Sequence, residues 1–271
     1  MLIKPITELR NPRHVLDVDV NDSSSPQPIP SIAIRIDPDT KYNYVLIVPS
    51  TMSLIAEQLP NSNAVGSIEI TYPELYKDIK ETESLAEYDE DEQLYAAMQS
   101  ENIKNKYPTS TIPINLTNNG VLSIVVPLIK NIIAYNIFAN ELVTHLNLNK
   151  EWILLAPSNL NNGQTVNKLQ LHNDNTDPVF QNVPVLQPPH TITGVSAALL
   201  SSLSLVDAPI ATALVLDSEG QIGYEKSDND AIVDVASILG IIFNLDHKNY
   251  VRKVSSNVRK FNGYSNLGMY I

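Results

Sequence analysis

The residues most able to do chemistry in this chain stand apart from one another, and most fail on spacing. Five histidines, His14, His145, His172, His190 and His247, are scattered. None pairs at i+3 or i+4, the spacing that brings two metal ligands to one helical face. There is no cysteine, which excludes disulfides, thiolate metal sites, iron–sulfur clusters and cysteine nucleophiles. No G-x-x-x-x-G-K-[ST] or G-x-G-x-x-G occurs, and nine glycines in 271 residues leave little for a phosphate-cradling loop. Gly194-Val195-Ser196-Ala197-Ala198 has the outline of a nucleophile elbow, with Asp217 or Asp234 and His247 following in α/β-hydrolase order. Yet Pro188-Pro189-His190-Thr191 stands where an elbow needs a strand, so small residues opening a closely packed helix is the preferred reading. Asp217 and Glu219 end a predicted strand, where open α/β sheets keep a ligand crevice. Asp217-Ser218-Glu219-Gly220 is equally an ordinary turn, and the turn is preferred. No catalytic residue, metal or cofactor is expected.

The chain end has a different chemistry. Asn262 to Gly268 is polar with two glycines, and Met269, Tyr270 and Ile271 then carry the free carboxylate. Methionine fills an irregular apolar wall, and a tyrosine ring adds area and a hydroxyl. A carboxylate can pair with a lysine. The three residues therefore have the makings of an anchor for a pocket on another protein. Charge is unevenly placed around them. Formal net charge is −12, which argues against general nucleic-acid binding. Nine carboxylates and two lysines lie between Glu74 and Glu92, whereas Lys248, Arg252, Lys253, Arg259 and Lys260 follow Asp246 with no further acid. An acidic middle and a basic end suggest that the end meets an acidic surface, on a partner or in the chain itself, or else two solvated faces. Met1-Leu2-Ile3-Lys4-Pro5 has no apolar signal region, and no apolar stretch approaches a membrane span, so no membrane association is expected.

The elements that would position this end form one domain. Residues 1–30 read as an irregular arm because Asp22 to Pro30 combines turn formers with three prolines. Period-two alternation predicts strands at Ser31–Asp37, Ser67–Tyr72 and Val166–Leu171. Tyr44–Val48, apolar throughout, reads as a strand covered on both faces, Trp152–Ala156 as another buried strand and Ile210–Leu216 as the next strand. Residues 73–106 read as an acidic insertion. Thr111–Leu116 and Val121–Val126 flank Asn119-Gly120, a tight-turn signal. Helices are predicted over 128–146, apolar on opposed sides and so buried by more than one neighbour; from near Thr191; and after a Ser227/Asp230 capping box. The closing strand–helix–strand–helix order predicts a three-layer α/β domain over 31–260 with a largely parallel central sheet. A flexible tail over 261–271 completes the chain.

An ending of hydrophobic residue, tyrosine and any residue, abbreviated HbYX, is the pattern by which proteasome activators enter pockets between neighbouring α-subunits. Further residues resemble the fungal proteasome assembly chaperone 1 family. They are Leu186-Gln187-Pro188-Pro189 with Ile192-Thr193-Gly194, then Asp217-Ser218-Glu219-Gly220 leading to Gly223-Tyr224-Glu225-Lys226. Met1-Leu2 with Pro12, His14, Leu16 and Asp17, and the final Gly268-Met269-Tyr270-Ile271, are similar to it too. The resemblance covers roughly residues 1–20 and 185–271. It implies the α/β fold of the proteasome assembly chaperone superfamily and a heterodimer with assembly chaperone 2. It also implies docking on the outer α-ring face of the core particle, promotion of α-ring assembly and a block on premature regulator binding, in the cytoplasm or nucleus and without catalysis. Met269, Tyr270 and Ile271 map onto the family's α-subunit anchor. Two other functions compete: an ATP-independent proteasome activator with the same ending, and a serine hydrolase built on Ser196.

Overall fold

The computed structural model describes residues 28–38, 40–75, 98, 101–146, 148–171, 178–206, 210–221 and 223–267, the last seven by backbone alone. Among the described residues nine strands form one sheet: β1 (Ser31–Ile36), β2 (Tyr44–Pro49), β3 (Asn63–Thr71), β4 (Ser110–Leu116), β5 (Val121–Val126), β6 (Glu151–Ser158), β7 (Val166–Leu171), β8 (Ala211–Glu219) and the short β9 (Lys226–Ser227). Their order is β1-β3-β4-β5-β2-β6-β8-β7, with β9 on β8. The expected parallel pairing holds at the centre, where β5, β2, β6 and β8 run together. Both flanks are antiparallel and outnumber it, so the whole sheet is mixed. The cause is connection length. Thr117 to Gly120 closes a tight turn, with Gly120 N–H 3.0 Å from the Thr117 carbonyl and Gly120 at φ +74°, which forces β4 and β5 antiparallel. At the β1–β3 edge, a Cβ on Gly66 would run into the Arg35 carbonyl oxygen, and the β3–β4 register slips beside it.

Helices cover both faces. On one lie α2 (Ile132–His145) and α4 (Gly194–Ser204); on the other lie α1 (Ser53–Glu57), α3 (Pro178–Gln181), α5 (Asn229–Ile242) and α6 (His247–Leu267). Strand β2 shows why two helical layers are needed. Val45 and Ile47 pack with Phe138, Leu142 and Leu199 on one side, while Leu46 and Val48 pack with Val235, Leu239 and Val254 on the other. All four β2 residues are fully buried, as period-two side chains require in a sheet covered twice.

Several local expectations shift. The helix expected over 128–146 starts only at Ile132, because Pro127 cannot continue the β5 ladder and Asn131 caps α2, its Oδ1 accepting from Ile133 N–H at 3.0 Å. That helix is buried on one side only: Phe138 and Leu142 are inside, but Ile132 is 73% and Ile133 46% exposed. The helix expected near Thr191 starts at Gly194. Asp228, not Ser227, caps α5, accepting from Asp230 N–H, while Ser227 lies in β9 with its hydroxyl 2.9 Å from that of Ser218. The acidic insertion falls between antiparallel partners β3 and β4, and residues 76–97 of it lie outside the described residues. Its base is closed by Tyr72 and Tyr107, both buried, with ring centroids 5.4 Å apart. Burial, with Tyr107 adding, raises the Tyr72 pKa.

Candidate docking site

Helix α6 is the last described element before the chain end. Asp246, the last carboxylate in the chain, sits at its start and accepts from the Asn249 N–H and side-chain amide. The preceding corner is a Schellman turn. Asn244 adopts φ +49°, Asn244 N–H donates to Ile241 O, and Leu245 N–H donates to Gly240 O. Asn119 Nδ2 reaches across from the β4–β5 turn to the Phe243 and Asn244 carbonyls at 3.0 and 2.9 Å. Gly240 lets the His247 ring come close, and that ring bonds Ser237 at 2.9 Å. Tyr250, Val254 and Val258, at i, i+4 and i+8, are the buried stripe. The Tyr250 hydroxyl donates to Ile55 O at 2.8 Å, and burial pushes its pKa well above the ordinary tyrosine value. Lys248, Arg252, Lys253, Arg259 and Lys260 all lie on the exposed side.

The helix continues as far as Leu267, so the lead expected to be free from 262 is helical over most of its length. Met269, Tyr270 and Ile271 lie outside the described residues, as do the family-like residues 1–20. The described helix that precedes residue 268 is fixed against α5 and α1 by Tyr250, Val254 and Val258.

A second feature lies beyond the C-terminal ends of the central strands. Pro49 ends β2, Pro127 follows β5 and Pro157 is the last but one residue of β6, and together with Leu128, Ile129 and Val195 they line a largely apolar cavity of about 510 Å³. Gly223 (φ +87°) borders it at a point where a Cβ would strike Leu128. Helix α4 opens onto this cavity with no side-chain cap from Thr193. Tyr135 also faces it, its hydroxyl accepting from Ile129 N–H at 3.0 Å. Burial raises the Tyr135 pKa, that bond opposes the rise, and Glu225 adds to it. Such a lining receives apolar groups, with Lys130 and Glu225 as its charged members.

The catalytic candidates are structural. Ser196 is fully buried and its hydroxyl donates to Leu155 O at 2.6 Å, which ties α4 to β6. The His247 ring is engaged with Ser237, so the ordered serine, aspartate and histidine do not form a relay. Asp217 to Glu219 do not form the turn expected of them: β8 runs on through Glu219, with Asp217 beside Ser158 of β6 and Ser218 and Glu219 beside β9. Asp217 Oδ1 accepts from Leu160 N–H at 2.8 Å, pinning the loop after β6. Asp234 accepts from the Thr165 hydroxyl at 2.6 Å. His190 bonds the Asn159 carbonyl and His145 pairs with Glu141. No group of three or more metal-ligating side chains occurs among the described residues. None of their helices is long and apolar enough to cross a membrane. Sequence reasoning missed α6, although Tyr250, Val254 and Val258 were there to find. It also missed the cavity, whose signal is a proline at three strand ends.

The fold has solved counterparts. Pyrococcus furiosus PbaA, an archaeal homologue of proteasome-assembly chaperone, is similar at a TM-score of 0.51 and 13% identity, over 89% of this chain and 94% of PbaA. P. furiosus PbaB, an archaeal proteasome activator, is similar at a TM-score of 0.50 and 13% identity, over 88% of this chain and 99% of PbaB. At such identities the likeness is one of fold. No curated protein matches the chain. The family model for the POC1 chaperone matches residues 1–271, end to end, and the chain therefore belongs to the POC1 chaperone family of proteasome assembly chaperones.

Proposed function

We propose that this chain is the assembly chaperone 1 of its proteasome. It heterodimerises with assembly chaperone 2, docks on the outer α-ring face through Met269-Tyr270-Ile271, promotes ring assembly and blocks premature regulator binding. The observation that carries this reading is the HbYX ending placed immediately beyond a helix that is anchored to the domain by Tyr250, Val254 and Val258. A mounted tail loses less freedom on docking than one on a long free linker. Membership of the chaperone family supports the same reading.

The surface left open on α2 suits the permanent partner. Ile132, Ile133 and the half-buried Ile137 project away from the core that Phe138 and Leu142 enter. Exposed apolar side chains grouped on one helix mark an interface more often than they occur idly. The test is capture of the heterodimer on immature cores. Removing residues 269–271, or Tyr270→Ala, should weaken α-ring binding at least tenfold and leave the heterodimer intact. Unchanged binding would overturn the reading. The activator alternative has one supporting observation, the fold likeness to PbaB, and it predicts stimulated peptide hydrolysis by mature cores in the same assay.

A further inference from the structure

The chain carries 30 carboxylates against 18 lysines and arginines, yet the segment from His247 to Ile271 holds five of those cations and none of the acids. The fold sorts these cations onto one side of one helix. At 100° per residue, Lys248, Arg252 and Arg259 fall within about 40° of one another, and Lys253 and Lys260 form a second row about 100° round. Tyr250, Val254 and Val258 occupy the opposite side and are buried. All five cations are exposed, and none forms an ion pair with another described residue. Along the helix they span about 18 Å. A solvated face needs no such segregation, since mixing signs at i, i+4 stabilises a helix while a row of like charges works against it. The like-charged rows therefore cost some helix stability, and the buried stripe and the capped corner hold the helix in place against that cost.

We propose that this basic face of α6 is an electrostatic docking surface for a carboxylate-rich protein surface beside the pocket that receives the tail. It rests on the docking reading above and adds the chemistry of the partner surface. The face orients the approaching chaperone, and the tail then holds it. Charges of this kind act mainly on the association rate, which they raise by about 10-fold or more at low salt. Nucleic acid is the less favoured polyanion because the rest of the chain is strongly acidic and repels it.

The experiment measures association of the intact heterodimer with purified cores at about 50 and 500 mM salt, conditions whose screening lengths differ about threefold. Four forms are compared: wild type, the variant K248Q/R252Q/K253Q/R259Q/K260Q, the charge-keeping variant R252K/R259K, and the chain lacking residues 269–271. Circular dichroism and heterodimer yield confirm that the glutamine variant folds. The charge-keeping variant provides the rescue. Wild type and R252K/R259K should associate about 10-fold or more slowly at high salt. The glutamine variant should be slow at low salt and nearly insensitive to salt. The tail-deleted form should keep its salt dependence while dissociating faster. A glutamine variant that matches wild type in rate and salt dependence, while wild type binds cores, overturns this inference alone. So does a face whose neutralisation changes only binding to a duplex DNA or RNA probe, or only self-association of the chain. Wild type that binds no core at either salt concentration overturns the docking reading and this inference with it.

Discussion

Helices α2 and α6 each bury one side, α2 against α4 and the sheet and α6 against α5 and α1, and present the other to solvent, but their solvent sides differ in chemistry. Outside its Phe138–Leu142 stripe, α2 offers the isoleucines of its first half, Ile132 and Ile133 exposed and Ile137 half-buried, among Asn136, Asn140 and Thr144. Outside its Tyr250–Val254–Val258 stripe, α6 offers lysines and arginines. Apolar surface is costly to leave wet, so it suits a partner acquired once and kept. Ionic surface is well solvated, so it suits a partner met and left again. In the proposed account one chain does both: a lasting heterodimer through α2, and a reversible visit to the α-ring led by α6 and its tail.

The comparison breaks first if inner and outer residues of the two helices do not behave differently. Phe138→Ala empties a fully buried ring from the α2 core and should cost about 3–5 kcal/mol in denaturant unfolding. Ile132→Ser with Ile133→Ser should leave the fold intact and lower heterodimer affinity at least tenfold by titration. On α6, Val254→Ala should cost about 2 kcal/mol, while Lys253→Gln beside it should leave the unfolding midpoint where it was. Tyr250→Phe is the smallest change, losing one buried hydrogen bond for about 1 kcal/mol at neutral pH. It also has a signature in pH. Burial raises the Tyr250 pKa above its unfolded value of about 10, so its contribution is whole below that pH and is lost as pH climbs above it. Wild type should weaken above about pH 10 more steeply than Tyr250→Phe.

The strands were legible because alternation and apolar runs are local signals, and each predicted strand from Ser31 to Leu216 lies on an observed one. The pairing was legible only where a connection dictates it. Crossovers imply the parallel centre, whereas nothing within Ser31–Ile36 announces that it will lie beside β3, antiparallel. Helix α6 escaped because three buried residues among many polar ones give a thin signal, and the polar, glycine-bearing end resembled a free tail. The α5 cap was displaced by one residue, since Ser227 and Asp228 are both good caps and only the Ser218 contact assigns Ser227 to β9. Ser196 has the outline of a nucleophile on spacing, with close helix packing the preferred reading, and its tie to Leu155 shows only when β6 is placed beneath α4. The cavity needed three strand ends far apart in sequence to be brought together, which no local pattern encodes.

The most direct test of the account is competition on immature core particles between the heterodimer and the regulatory ATPase ring, with and without residues 269–271. The account predicts that the full chain excludes the ring, and that the tail-deleted form, still heterodimeric, lets it bind. Simultaneous occupancy of the same pockets by chaperone and regulator, or equal exclusion by both forms, would contradict it.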